Sequence, residues 1–236
     1  MVPAAVFDLD NTLVRGSSLF HFGCALAAQR VISPMHVLRY GCAEVAYVRH
    51  RGERDGLPMQ LTGRLLRLVE GRSQEDLCSR ARHYASTALR HHLAADVLNR
   101  LVAFQKLGVD CYLATASPQD LADAIATELG MSGAIGTVAE VRAGRYTGAL
   151  ASPIAHGAEK ARRVMTLFDA WGYDPSTAWA FSDSINDLPL LALVGNPVVV
   201  NGDRNLVQIA ELNHWSVMVS DGVQWVARPE SEQALP

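Results

Sequence analysis

Asp8 and Asp10 stand one residue apart in VFDLDNTL, at the end of an apolar run, with Thr12 two places later. A carboxylate held at a strand end can attack phosphorus and form an aspartyl-phosphate, which divides one difficult hydrolysis into two displacements. A second acid two residues on can protonate the leaving alkoxide and then take a proton from the attacking water. Two carboxylates facing a phosphate dianion need a cation. Mg2+ suits such a site because it accepts oxygen ligands, keeps some waters and bridges to phosphate. Asp8 and the main-chain carbonyl of Asp10 are candidate ligands. The competing reading is a plain turn, since Asp and Asn at a strand end bond their own backbone. A turn accounts for DNT but not for the pairing of Asp8 with Asp10.

Three later segments offer complementary groups. In LATASPQD, Ser117, Pro118 and Asp120 have the order of a helix cap, a first helical position and an acidic first turn. Thr115 would then lie between a strand end and a helix N-terminus, where its hydroxyl can donate to a phosphoryl oxygen. Lys160 in HGAEK opens a helix and opposes its dipole. A phosphate and the Asp8 carboxylate would offset that, and the ammonium would balance charge on the transferring group. Alternatively Lys160 is one exposed cation beside Arg162 and Arg163. In FSDSIND, Asp183 and Asp187 share a face if a helix starts there. Asp183 can ligate Mg2+, Asp187 can act through water or orient Lys160, and Asn186 can bond a phosphate oxygen. Buried acids gathered without a cation would repel one another.

These groups require a scaffold that brings distant segments together. AAVF reads as a buried strand. From about His92 onward strands and helices alternate with short connections, the pattern of a mainly parallel sheet covered on both faces. AIGTVAEVRAGRYTG suggests a strand and a hairpin. Between Ser17 and about Leu89 only helical periodicity is visible, interrupted by the charged loop RHRGERDG at 49–56. The expected fold is therefore α/β: a Rossmann-like, doubly wound parallel core of residues 1–16 and 92–236, with an inserted all-helical cap of 17–91. In open parallel sheets ligands bind outside the carboxyl ends of the strands. FDLDNT, LATAS and AFSDSIND all lie at such ends.

Composition narrows the remaining classes. The 236 residues are 49% hydrophobic and 19% charged, with a net charge of −3, an ordinary globular mix. That balance gives no electrostatic footprint for nucleic acid. FGCALAAQRVI is broken by Gln29 and Arg30, so no run reaches bilayer length, and the first residues lack the positive charge of a signal peptide. Cys24, Cys42, Cys78 and Cys111 show no C-x-x-C spacing, which points to reduced thiols and a cytoplasmic setting.

Together these residues resemble the haloacid dehalogenase superfamily of phosphotransferases, in the branch with a helical cap that looks like phosphoserine phosphatase. The resemblance makes Asp8 the nucleophile and Asp10 the acid and base. It makes Thr115 the second motif, Lys160 the third, and Asp183 with Asp187 the fourth. It implies a Mg2+-dependent phosphatase of a small phosphorylated metabolite, with transfer to a hydroxyl acceptor, or phosphate binding without catalysis, as alternatives on the same fold. One position departs from the branch. Phosphoserine phosphatases usually carry a glutamate for the substrate ammonium nine residues after the nucleophile, and that position here is Ser17. Cap specificity is then expected from Ser17, from His21 between Phe20 and Phe22, and from Arg64 or Arg67, although LFHF also reads as cap packing. His91 and His92 diverge on a helix and read as surface or hinge residues.

Overall fold

The computed structural model describes residues 3–39, 41 and 66–219. Its core is a six-stranded sheet of order β3-β2-β1-β6-β7-β8 with every pairing parallel. The strands are β1 (Ala4–Phe7), β2 (Asp110–Pro118), β3 (Gly133–Thr137), β6 (Trp179–Ser182), β7 (Asn196–Val200) and β8 (Ser216–Met218). Between β3 and β6 a hairpin of β4 (Ala139–Arg142) and β5 (Arg145–Leu150) stands apart from the sheet.

The strict period of a strand explains the two-sided core. On β1, Ala5 and Phe7 face one layer, where Phe7 stacks on Phe181 with centroids 4.5 Å apart. Ala4 and Val6 face the other. The first layer is closed by α3 (Ala95–Lys106) and α4 (Gln119–Glu128), the second by α5 (Ala158–Trp171), the short α6 (Leu188–Leu191) and α7 (Arg204–Leu212). This is the doubly wound α/β arrangement that the alternating segments imply.

The chain between β1 and β2 supplies α1 (Ser18–Ala28), α2 (Gln74–Thr87) and helical residues at 34–39 and 66–69. Arg64, Cys42 and the 49–56 loop lie outside the described residues. Phe22 and Leu26 of α1 and Leu77, Ala81, Tyr84 and Ala85 of α2 join the same apolar cluster as Leu121 and Ile125 of α4. Asp120 fastens the layers together. It accepts hydrogen bonds from Gln74 Nε2 (3.1 Å), Cys78 Sγ (3.2 Å) and Tyr146 Oη (2.7 Å).

The two connections of this helical insertion run side by side. Val14 bridges Leu93, Arg15 N donates to the His92 carbonyl at 2.7 Å, and Ala94 N donates to the Leu13 carbonyl at 2.9 Å. Two details depart from expectation. Ser117 does not cap α4, because β2 continues through Pro118, which itself occupies the cap position. And FSDSIND does not begin a regular helix: residues 185–187 form a 3₁₀ turn, followed by the four-residue α6 with Pro189 in its first turn.

Candidate active site

β1 and β6 are neighbours, so their carboxyl ends deliver Asp8 and Asp183 to one place. The Asp8 amide donates to the Phe181 carbonyl at 2.8 Å, extending the β1–β6 pairing by one residue. The chain then turns sharply. Asn11 takes φ +58°, a left-handed conformation that asparagine tolerates better than most side chains, and Val14 N returns to the Leu9 carbonyl. The turn and the paired acids therefore coexist in one stretch. Thr12 closes it: its hydroxyl donates to Asp8 Oδ2 at 3.4 Å and accepts the Asp183 amide at 3.1 Å.

Lys160 reaches the same point from α5. Gly157 precedes that helix with φ +55° and ψ −128°, a conformation that other residues rarely adopt. The Lys160 ammonium donates to Asp8 Oδ1 at 2.8 Å and to Asp187 Oδ2 at 2.7 Å. Lys160 is 3% exposed, Asp8 6% and Asp187 1%, so these ion pairs are removed from solvent. Ser182 adds a second hold on Asp187, donating to Oδ2 at 2.7 Å, while Asp187 Oδ1 is buried with no hydrogen-bond partner. The exposed-cation reading of Lys160 is excluded by this burial.

The electrostatics follow from one ammonium set among three buried carboxylates, Asp8, Asp183 and Asp187. Burial pushes Asp8 well above the ordinary carboxylate range. Lys160 pulls it back, and the charges of Asp187 and Asp183 push it up again. Burial alone would push the Lys160 ammonium down, but Asp187 and Asp8 together raise it above its ordinary value. Asp10 is also raised, by burial above all, against the hydrogen bonds of Ser18 and Ser117 and the charge of Lys160. Ser18 N donates to Asp10 Oδ1 at 2.6 Å, and Ser117 Oγ donates to Oδ2 at 3.4 Å. The two serine hydroxyls lie 3.0 Å from one another.

A cation fits this charge balance. Among the described residues no three His, Cys, Asp or Glu side chains are arranged as a metal-holding group. Two carboxylates with a main-chain carbonyl, completed by water and substrate, is a set that Mg2+ accepts.

Comparison with known proteins agrees with the geometry. Residues 5–192 match the haloacid dehalogenase-like hydrolase family. A Mycobacterium tuberculosis protein named phosphoserine phosphatase SerB1 is 35% identical over 217 residues, covering 92% of this chain and 70% of the relative. The chain belongs to the haloacid dehalogenase-like hydrolases. Within that family it is an enzyme of the phosphatase kind. A crystal structure of a protein of unknown function from Bordetella pertussis superposes with a TM-score of 0.78 at 25% identity, covering 94% of this chain and 99% of the other. A phosphoserine phosphatase solved as a phospho-aspartyl intermediate analogue has the same fold, with a TM-score of 0.66 at 11% identity over 100% of this chain and 99% of the other.

The remaining candidates of this hydrolase are less uniformly placed. Thr115 is buried, and its hydroxyl accepts the Ser117 amide at 3.1 Å, leaving its proton for another acceptor. Asn186 is exposed and its amide donates to Ser184 Oγ at 3.3 Å. Ser17 caps α1 by accepting the Phe20 amide at 3.3 Å, which leaves its hydroxyl proton for another acceptor. His21 lies at the paired connections. Its Nε2 is 2.9 Å from the Arg15 carbonyl and its ring stacks on His92 with centroids 3.7 Å apart. Phe22 packs on Tyr84 in the core and, with Phe20, lines an apolar cavity of about 140 Å³ that Leu77, Leu121, Tyr146 and Leu150 also border. Arg67 is exposed.

Thr12, noted in the sequence only for its place after the paired acids, and Ser18 and Ser182, which the sequence reading does not single out, support the acids. The signal for Ser182 was present: a hydroxyl ending an apolar strand directly before Asp183. His156, half-buried, faces Lys160 and Asp187. Burial and then the Lys160 charge hold its imidazole below the ordinary value, with Asp187 opposing.

Proposed function

We propose that the enzyme is a Mg2+-dependent phosphomonoesterase acting on a small organic phosphate through an aspartyl-phosphate on Asp8. The observation that carries this reading is the Lys160 ammonium bonded at 2.8 Å to Asp8 and at 2.7 Å to Asp187 in a solvent-excluded site. An ordinary structural pair has no use for a third buried carboxylate, Asp183, beside it. A charge-balancing site for a phosphoryl group and a cation does.

In the first half-reaction an Asp8 carboxylate oxygen bonds to phosphorus while the phosphorus–ester oxygen bond breaks, and the Asp10 carboxyl gives its proton to the departing alkoxide. The raised affinity of Asp10 for its proton, set above all by burial, suits that duty. In the second, Asp10, now a carboxylate, takes a proton from water as the water oxygen bonds to phosphorus. The acyl-phosphate bond then breaks, and inorganic phosphate leaves with Asp8 restored. Ser18 and Ser117 orient Asp10 throughout, and Thr12 and Lys160 orient Asp8. Asp8, Asp183 and the Asp10 main-chain carbonyl would hold Mg2+, which supplies positive charge against the phosphoryl oxygens. Thr115 and Asn186 are the candidates for further contacts to those oxygens.

Residues 17–91 are the cap of this enzyme in our reading. Ser17 carries no charge for a substrate ammonium, so we propose a substrate other than phosphoserine. The free thiols of Cys24, Cys78 and Cys111 suit a reducing compartment such as the cytoplasm. Phosphate release from a panel of phosphorylated metabolites, phosphoserine included, tests the assignment. Mg2+-dependent turnover that Asp8→Asn abolishes is expected, and full activity in Asp8→Asn would overturn it.

A further inference from the structure

The apolar cavity of about 140 Å³ lies between the helical insertion and the carboxyl ends of β2 and β3. Phe20 and Phe22 of α1 and Leu77 of α2 line one side, and Ala116 and Pro118 of β2 line another. Both sides run directly into the residues that hold Asp10. Leu19 and Phe20 follow Ser18, whose amide donates to Asp10 Oδ1 at 2.6 Å. Ala116 and Pro118 flank Ser117, whose hydroxyl donates to Asp10 Oδ2 at 3.4 Å. Ala116 is exposed, although Thr115 and Ser117 on either side of it are buried. The cavity therefore opens at the end of β2, beside the acid that serves the ester oxygen. Of a bound phosphate ester, the alcohol half is the part that can enter it.

The wall dictates what that half must be. Among the described residues its polar side chains are Asp120, Tyr146, Thr137 and His36. Asp120 already accepts from Gln74, Cys78 and Tyr146. The Thr137 hydroxyl donates to the Ala116 carbonyl at 2.7 Å and accepts the Ala155 amide at 3.1 Å. His36 is exposed to solvent. The buried wall thus offers hydrocarbon, and a hydroxyl or charge placed against it would lose its water without gaining a partner. An apolar cavity on the order of 150 Å³ takes up benzene, so the space suits about six carbons.

We propose that this cavity is a binding subsite for a hydrocarbon group of about six carbons, an alkyl chain or an aromatic ring, on the alcohol half of the substrate. This rests on the phosphatase reading. The substrate class is then a phosphate monoester of an apolar alcohol, in preference to a phosphorylated amino acid or sugar.

The test uses n-alkyl phosphates from ethyl to octyl. On wild type, kcat/KM should rise about fourfold with each methylene up to about six carbons and then level off. Binding of the same esters to Asp8→Asn, followed by titration calorimetry, should show the same dependence. Gly23 lines the cavity, and an added Cβ would meet Val37 Cγ2 at 3.7 Å, an ordinary contact. Gly23→Ala should therefore fold, melt at or above the wild-type temperature, and lower the preference for hexyl over ethyl phosphate about fourfold. Ala116→Leu, which fills the mouth from β2, should lower that preference as well. A flat series on wild type, or a hexyl preference that both variants keep, would overturn the proposal. Hydrolysis that survives Asp8→Asn would sink the phosphatase reading whatever the chain length does. Hydrolysis that Asp8→Asn abolishes but that ignores chain length would sink the cavity assignment alone.

Discussion

Replacing Lys160 by methionine removes the ammonium but keeps the length of the side chain. Asp8 and Asp187 would lose the partner at 2.8 and 2.7 Å, and Asp183 would keep its buried charge beside them. Removing one member of a buried ion pair costs about 3–5 kcal/mol, because the other charge remains desolvated. For a chain of this size, that lowers Tm by roughly 6–20 °C. The loss should also depend on pH. Lys160 is what pulls Asp8 down against burial, so without it the folded-state value rises further above the ordinary carboxylate value. A carboxyl raised in the folded state contributes stability that is present below its unfolded value, near 4, and lost as pH rises through the folded one. Thermal melts of Lys160→Met should therefore fall further below wild type at pH 8 than at pH 5. Adding Asp8→Asn to Lys160→Met should restore part of the loss by removing one orphaned charge. A Lys160→Met protein that melts within a degree of wild type at both pH values would refute the reasoning.

Two further perturbations follow from the same electrostatics. Mg2+ favours the charged form of Asp8, so raising its concentration should move the acidic limb of the kcat/KM–pH profile to lower pH and raise Tm, by about 2.7 kcal/mol of stability at a hundredfold excess over Kd. A chelator should reverse both, and a limb indifferent to Mg2+ would count against Asp8 as a ligand. Ser117→Ala removes a donor that favours the Asp10 carboxylate, so the Asp10 proton should be held more tightly and the basic limb should shift to higher pH. A basic limb that stays in place would contradict the role assigned to Ser117.

The parts of the site that were legible in the sequence are those fixed by strand ends. Asp8 and Asp183 follow short apolar runs in segments that pair side by side, and Lys160 follows a glycine that opens a helix. Where local rules compete, the reading went astray. Ser117 and Pro118 satisfy every local preference of a helix cap, yet β2 runs on through both, and the Ser117 hydroxyl turns to Asp10 and Ser18 instead. Asp183 and Asp187 are spaced as on a helix, but a 3₁₀ turn intervenes, capped by the Ser184 hydroxyl, and Asp187 still reaches Lys160. Ser17 has the chemistry of an N-cap, and its hydroxyl caps α1. His21 belongs to the stacked pair at the insertion's connections, a contact between residues 71 apart that no local pattern encodes.

The central claim is a covalent bond between Asp8 and phosphorus, and trapping that bond tests it most directly. Turnover of a phosphate ester with Mg2+, stopped in acid within the first catalytic cycles, can be followed by peptide mass spectrometry. The phosphoryl group should be found on Asp8, and should be missing from Asp8→Asn treated in the same way. A phosphoryl group on another residue, or steady turnover with no phosphoenzyme at any quench time, would contradict it.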